Sequence, residues 1–273
     1  VIGSFSINDL GYFILTFFTA SIVLENFLTS YKTRLEEINI LKDQENYRRE
    51  FLGNVSHELK TPLFTIQGYI LTLIEGALKD KKVRGKYLRR SAKGVDRLIS
   101  IVKDLDLITQ FESGIKTVDK TDFNIYELIE NVYDLMEFES EKNNTKLLVY
   151  NENNTPIIVN ADKERILQVL TNLVVNSIKY GKEGGYTKVK VEEYDKDRII
   201  VRVKDNGEGI EDEHLPRLFE RFYRIDKNRS RKKGGSGLGL SIVKHIIEAH
   251  QEQIFVESKI GQGTEFSFTL QKP

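Results

Sequence analysis

The 273-residue chain has no cysteine, no tryptophan, one methionine and four prolines. Without cysteine it can form no disulfide, no thiol nucleophile and no cysteine-ligated metal site. Basic and acidic residues number 41 each, so the chain lacks the basic excess that is typical of nucleic-acid-binding proteins. Its four histidines are scattered and match no zinc motif. These absences leave a balanced globular composition and predict no nucleic-acid partner.

Long hydrophobic runs are also scarce. The N-terminal stretch Leu10–Leu24 has no charge, but it is shorter than the roughly 20 residues that span a bilayer. Lys32 and Arg34 follow it, and this order would keep the rest of the chain inside the cell. We favour a membrane helix over about 10–28. The alternatives are a buried or dimer-forming helix, or the remnant of a sensor domain.

The central part of the chain has helical periodicity. Apolar residues recur at helical spacing from Tyr31 to Gly76, with Pro62 inside, and again from Lys86 to Phe111 after a polar break at Lys79 to Gly85. Two long helices with a short connection form an antiparallel hairpin. A lone hairpin buries little apolar surface, so we expect two copies to pair as a dimeric four-helix bundle.

The pattern changes after a linker at Glu112 to Thr121. The expected helices are Phe123–Glu141, Asp162–Tyr180 and Leu238–His250. The expected strands are Lys146–Tyr150, Ile157–Asn160, Lys188–Glu193, Ile199–Lys204, Ile254–Glu257 and Glu265–Leu270. This mixture predicts an α+β sandwich, a sheet with helices on one face. The predicted organisation is therefore 1–30 as membrane helix or sensor remnant, 31–113 as hairpin and 114–273 as α+β domain.

Three glycine clusters lie in the α+β half. They are Asp205-Asn206-Gly207-Glu208-Gly209, Gly234-Gly235-Ser236-Gly237-Leu238-Gly239-Leu240 and Gly261-Gln262-Gly263-Thr264. The second runs into a predicted helix, whose free N–H groups suit a phosphate. Any one cluster alone is more simply a tight turn. Neither a Walker A motif nor a dinucleotide fingerprint fits the spacing.

The helix before these clusters carries polar side chains on one face. Asn172 and Asn176 are four residues apart and so lie one above the other. Asparagine is a mediocre helix former, and amide and phosphate oxygens suit Mg²⁺. A solvated helix face remains the alternative interpretation of this spacing.

The motif order resembles that of histidine kinases. The asparagine helix, DNGEG, LFERFYR, GGSGLGL and GQGTEF resemble the N, G1, F, G2 and G3 boxes of that family. The resemblance implies the Bergerat (GHKL) ATP-binding fold, which is shared with DNA gyrase. The ATP-binding residues that it implies are Asn172, Asn176, Lys179, Tyr180, Asp205, Gly207, Gly209, Arg221, Arg224, Gly235, Gly237, Leu238, Gly239 and Thr264.

The resemblance also implies roles for some of these residues. Asn176 would hold Mg²⁺ with Asn172 nearby, and Asp205 would accept a hydrogen bond from the adenine amino group. Lys179 and Tyr180 would contact the nucleotide.

On the same resemblance, Gly207 and Gly209 would let the chain pass close to the base. Arg224, or less strongly Arg221, would face the phosphates, and Arg224 to Lys233 would form a mobile lid. Ser177 departs from the alanine that is usual in the family.

The segment FLGNVSHELKTPL resembles the H box of the HisKA class. On a helical wheel Leu52, Val55 and Leu59 share one side, and His57 falls almost opposite. The resemblance makes His57 the phosphate acceptor and Glu58 the base or the group that orients the imidazole. It assigns Thr61 to the phosphatase reaction, and Pro62 would kink the helix beneath the site.

The resemblance as a whole implies a sensor histidine kinase core that looks like phosphate-regulon-type kinases of the Bacteroidetes. Such a protein is a homodimer that autophosphorylates with Mg²⁺ and ATP, transfers the phosphoryl group to a response-regulator aspartate and dephosphorylates that regulator. Its core is cytoplasmic and attached to the inner membrane. Because the chain begins with Val1 and has Met136 as its one methionine, we expect a part of a longer protein. A non-catalytic adaptor and a Bergerat ATPase are the alternatives.

Overall fold

The computed structural model describes residues 7–112, 118–151, 155–225 and 235–273. The chain forms two compact units, Val1–His57 and Glu58–Pro273. The first helix, α1, extends from Ile7 to Ile74. The prediction of a helix beginning near Tyr31 was therefore too short, because no turn residue separates the apolar N-terminal stretch from the charged helix behind it.

The first unit is helical and exposed. Between residues 11 and 50, every side chain that the structure describes is exposed. This region includes an 18-residue window of mean hydropathy 1.3, which is long and apolar enough to cross a membrane. Length and composition alone are weak evidence for a membrane span, so the interpretation of 10–28 stays a prediction.

The second unit begins with a helical hairpin. The end of α1 is followed by a 3-10 turn at Ala77–Lys79 and by α2, Lys81–Glu112. The rings of Tyr69 and Tyr87 stack at 5.1 Å, and a Cβ on Gly94 would lie 2.7 Å from Ile66. Earlier residues of α1 thus contact later residues of α2, so the predicted antiparallel hairpin is confirmed.

The predicted break at Lys79 to Gly85 is wrong over most of its length. The backbone reverses earlier, at Gly76, where φ is 138°. Asp80 then caps α2, because its Oδ1 accepts from the N–H groups of Lys82 at 2.9 Å and Val83 at 3.3 Å. Lysine and arginine are good helix formers, so a polar run was mistaken for a loop.

The described residues of the rest of the unit form seven strands and three helices. The strands are β1 Thr121–Asn124, β2 Lys146–Tyr150, β3 Ile158–Ala161, β4 Tyr186–Glu193, β5 Arg198–Asp205, β6 Ile254–Lys259 and β7 Gly263–Gln271. The helices are α3 Ile125–Lys142, α4 Lys163–Tyr180 and α5 Gly239–Ala249, with a 3-10 helix at Asp212–Arg217. Helix α3 therefore begins at Ile125 and not at the predicted Phe123. Asn124 ends a short strand and caps α3 through Tyr126 N–H at 3.2 Å.

The main sheet has strand order β2-β4-β5-β7-β6, with β2 parallel to β4 and the other pairs antiparallel. Strands β1 and β3 form a separate antiparallel pair. Side chains alternate across β4 and β5, so Val189 and Val203 are paired and buried on one face. The opposite face carries Arg202, which bridges Glu192 at 2.8 Å and Glu265 at 2.9 Å.

Helices α3 and α4 contact the sheet and each other, and α5 packs on α4. Leu173 of α4 and Phe268 of β7 are fully buried. Each such side chain contributes about 1.5–3 kcal/mol through removal from water. The predicted α+β layers are thereby confirmed, and they place the end of β5 near the end of α4.

Candidate functional site

Asp205 lies at the end of β5, directly before the first glycine cluster. It is 7% exposed, and its Oδ1 accepts from the backbone N–H of Gly207 at 2.7 Å and of Thr264 at 3.2 Å. Burial raises the pKa of the Asp205 carboxyl, and these two hydrogen bonds partly oppose that rise. Among the described residues, hydrogen bonds reach Oδ1 only. The second oxygen can therefore accept from a ligand.

The first and third glycine clusters meet at this carboxylate. Thr264 belongs to the third cluster, and its hydroxyl lies 2.8 Å from Ser258 Oγ. A Cβ on Gly207 would lie 2.6 Å from the carbonyl oxygen of Tyr180. Gly209 has φ 76° and passes against the backbone of Lys259. Both glycines are therefore required by contacts with the chain's own backbone, a reason that is separate from the expected approach to a base.

Helix α4 presents the two asparagines beside this region. Asn172 and Asn176 are half-buried, whereas Leu173 and Val174 between them are fully buried. The predicted N-cap of α4 is confirmed, since Asp162 Oδ1 accepts from Arg165 N–H at 3.1 Å. The helix thus holds two amide groups at a partly covered surface, where they can reach a ligand.

Ser177 has a local explanation. It is buried on α4, and its Oγ lies 2.6 Å from Thr187 Oγ1 on β4. A hydroxyl in this position would be costly without a partner. Thr187 supplies that partner, so serine is accommodated where the family usually has alanine.

The second glycine cluster leads into α5. Leu238 is fully buried, and a Cβ on Gly239 would lie 3.5 Å from Asn172 Oδ1. Gly237 accepts from Phe222 N–H at 2.9 Å. The N-terminus of α5 therefore lies beside the asparagine face of α4, where free N–H groups suit phosphate oxygens. Gly234 and 226–233 of the expected lid lie outside the described residues.

Basic side chains converge on Gly235. Arg224 Nη1 donates to the carbonyl oxygen of Gly235 at 3.0 Å. A Cβ on Gly235 would lie 2.6 Å from Lys179 Nζ, which also sits 4.9 Å from the ring centroid of Tyr180. Lys179, Tyr180 and Arg224 are thus neighbours of the glycine segment, as expected of residues that face phosphates.

Arg221 points elsewhere. Its Nη2 lies 3.3 Å from His245 Nε2 on α5. Burial lowers the pKa of His245, and the charge of Arg221 lowers it further. This position favours Arg224 over Arg221 as the phosphate-facing arginine.

The H-box residues lie on α1. His57 is exposed, and so is Leu52, so exposure in a single chain does not separate the predicted faces. Glu58 is half-buried and its Oε2 accepts from Arg97 Nη2 at 3.0 Å. Thr61 is exposed, and its carbonyl oxygen accepts from the hydroxyl of Thr65 at 2.8 Å. Pro62 lies inside α1, where it lacks an N–H for the carbonyl of Glu58.

Sequence reasoning missed Arg97. It stands one residue before Leu98 in the apolar stripe of α2, and no local pattern in the sequence marks its contact with Glu58. His250 was also passed over. It is buried, with Nε2 accepting from Asp162 N–H at 3.0 Å and Nδ1 lying 2.7 Å from the carbonyl of Ile246.

Two family models match the chain over these same residues. Residues 47–114 match the His Kinase A (phospho-acceptor) domain, and residues 161–273 match the histidine kinase-, DNA gyrase B- and HSP90-like ATPase. The chain belongs to the sensor histidine kinases. Within this family it is of the HisKA class.

Similar sensor kinases include WalK of Bacillus subtilis (strain 168), 37% identical over 84% of this chain and 37% of its own length. This chain therefore spans well under two thirds of that relative. Among solved structures, Acinetobacter baumannii histidine kinase AdeS has a TM-score of 0.63, with 26% identity over 79% of this chain and 98% of its own. Histidine kinase ThkA in complex with the response regulator TrrA has a TM-score of 0.63, with 29% identity over 82% of this chain and 61% of its own.

Proposed function

We propose that this sensor histidine kinase core transfers the γ-phosphoryl group of Mg²⁺-bound ATP to His57. The observation that carries the proposal is the buried Asp205 carboxylate, which is fixed by Gly207 and Thr264 and leaves one oxygen for the adenine amino group. An ATPase domain and a phospho-acceptor domain in one chain support a transfer within the protein rather than hydrolysis alone.

The residues present fit a Mg²⁺ ion with phosphates. Asn176 would hold the ion through its amide oxygen, and Asn172 would lie beside the phosphates at the N-terminus of α5. Lys179 and Arg224 supply positive charge next to Gly235. When bound, the ion neutralises phosphate charge, and the remaining work is positioning.

The transfer needs an unprotonated ring nitrogen on His57, and histidine supplies one near neutral pH. That nitrogen forms a bond to the γ-phosphorus while the bond to the β–γ bridging oxygen breaks and ADP leaves. Glu58, the next residue, accepts or stabilises the proton of the imidazole that becomes cationic. The phosphoryl group then passes to an aspartate of a response regulator, and Thr61 orients water in the reverse, phosphatase reaction.

A second copy completes the helical hairpin. The end of α1 and α2 expose an apolar surface at Leu63, Ile70, Leu88 and Val95, each more than 40% exposed. Single chains seldom leave a continuous apolar stripe in water. We infer a homodimer through a four-helix bundle, a response regulator as partner (ThkA is solved with one) and a cytoplasmic core held to the membrane through 10–28.

The test is incubation with γ-labelled ATP and Mg²⁺. We expect acid-labile label on the protein that is lost in His57→Gln and reduced at least about 100-fold in Asp205→Asn, because the adenine contact disappears. The matched control is Asp195→Asn, on an exposed turn. Nucleotide binding without labelling would indicate an adaptor. Phosphate release that persists in His57→Gln would indicate an ATPase.

A further inference from the structure

A four-residue cluster joins α2, α1 and the glycine segment before α5. Arg97 Nη2 donates to Glu58 Oε2 at 3.0 Å and lies 3.5 Å from the carbonyl oxygen of Gly235. Arg224 Nη1 donates to the same carbonyl at 3.0 Å and lies 3.9 Å from Glu58 Oε1. One guanidinium therefore contacts the carboxylate beside the phosphate acceptor and also the backbone next to the expected phosphates.

The cluster is unlike an ordinary surface ion pair. The side chains of Arg97 and Glu58 are 36% and 24% exposed, and that of Arg224 is 10% exposed. A partly covered guanidinium that donates through one nitrogen to two acceptors restricts the rotamer of the carboxylate. The value of such a contact lies in orientation, because a half-exposed pair adds little to stability.

We propose that Arg97 is a positioning residue for phosphoryl transfer, which holds the Glu58 carboxylate in place and ties that position to the glycine segment at Gly235. This inference rests on the proposed function. Arg97 itself is not proposed to touch His57 or the nucleotide. It acts through Glu58, whose orientation decides whether the carboxylate can serve the imidazole of His57.

The geometry requires arginine rather than any cation. The Nη2 of Arg97 carries two N–H donors held in the plane of the guanidinium, so this one nitrogen can contact Glu58 and Gly235 at once. A lysine keeps the charge but offers one compact ammonium. We therefore expect the autophosphorylation rate of Arg97→Lys to lie between that of the parent protein and that of Arg97→Ala.

The experiment compares Arg97→Ala with Arg89→Ala, an exposed arginine on the same helix. Autophosphorylation is measured in single turnover across a range of ATP concentrations. We expect Arg97→Ala to lower the maximal rate about tenfold, a fraction of the roughly 10² to 10⁴ that a positioned base contributes. The ATP concentration for half-maximal rate should change less than about twofold, and Arg89→Ala should behave as the parent.

The same substitution in a Glu58→Gln background separates positioning from a structural role. If Arg97 acts through Glu58, Arg97→Ala has less than about a twofold effect there. An equal loss in both backgrounds, or a faster rate in Arg97→Ala, would overturn the inference. Arg97→Gln repeats the test if the alanine variant folds poorly by circular dichroism. Label that survives in His57→Gln contradicts the proposed function instead, and a parent-like Arg97→Ala on a labelled His57 contradicts this inference alone.

Discussion

The helical hairpin and the α/β region bury their apolar residues to very different extents. Leu173 and Phe268 of the α/β region are inaccessible to water, whereas Phe64 and Ile74 of α1 are 63% and 68% exposed. The α/β region completes its core within one chain. The hairpin leaves an apolar stripe that a second copy would cover. We therefore expect the α/β region to fold alone and the hairpin to depend on the proposed association.

The largest expected effect tests the self-contained core. Phe268→Ala should lower the free energy of unfolding of the α/β region by about 3–5 kcal/mol, because it removes a fully buried ring and leaves a cavity. Phe138→Ala, at a 73% exposed position on α3, is the matched control and should change it by less than about 1 kcal/mol. Urea denaturation followed by circular dichroism measures both. Equal losses of unfolding free energy in the two variants would mean that Phe268 does not lie in a core formed by this region alone.

The next effect tests the exposed apolar stripe of the hairpin, which a second copy would cover. Ile70 is 44% exposed on α1, and Ile70→Glu would place a charge in each half of the dimer seam. We expect the dissociation constant of the dimer to rise about 100-fold, which corresponds to roughly 2.7 kcal/mol. Sedimentation at a series of concentrations measures it, with Thr72→Glu on the same helix as control. A dimer that tolerates Ile70→Glu and is broken by Thr72→Glu would place the seam on the other face.

A smaller effect concerns the pH dependence of the α/β region. Burial lowers the pKa of His250, whose Nε2 accepts from Asp162 N–H. Because the unfolded state takes up the proton first, stability is present above the ordinary histidine pKa and is lost as pH falls below it. We expect a loss of about 1 kcal/mol, the size of the broken hydrogen bond.

Urea midpoints at pH 7.5 and pH 5.5 check this expectation. His250→Gln should show a smaller drop between the two than the parent protein does. His245 also has a lowered pKa and titrates in both proteins, so the difference between them isolates His250. Identical drops would show that His250 does not titrate as its burial implies.

An effect of similar size is expected in the hairpin. Burial raises the pKa of Asp104 on α2 to about 6. The folded state therefore favours the protonated carboxyl, and its contribution to stability is lost as pH rises through 6. Asp104→Asn should raise the free energy of unfolding at pH 7.5 by about 1 kcal/mol, less than the full shift implies because the group is partly exposed. The gain should vanish near pH 4. A gain that is equal at both pH values would contradict this origin.

Motif order and periodicity predicted most of the site, because its residues lie close together in sequence. Asp205, Gly207 and Gly209 form one turn, and Asn172 and Asn176 form one helix face. Thr264 was predicted from its glycine cluster through the family resemblance. The hydrogen bond that joins it to Asp205 spans 59 residues, and only the register of β5 with β7 explains it.

The missed features depend on tertiary contacts or on very short elements. Arg97 meets Glu58 across a hairpin, and no local pattern marks that contact. Strand β1 has four residues, too few for a period to emerge, and it was absorbed into α3. The Bacteroidetes resemblance and the membrane interpretation of 10–28 stay predictions.

His57 is the proposed acceptor of the phosphoryl group. Mass spectrometry of peptides prepared at neutral pH after incubation with Mg²⁺ and ATP tests this assignment. We expect a phosphoryl group on the peptide that contains His57, and on no peptide that contains His214, His245 or His250. Modification of another histidine with His57 unmodified, or no histidine modified while ATP is consumed, would contradict it.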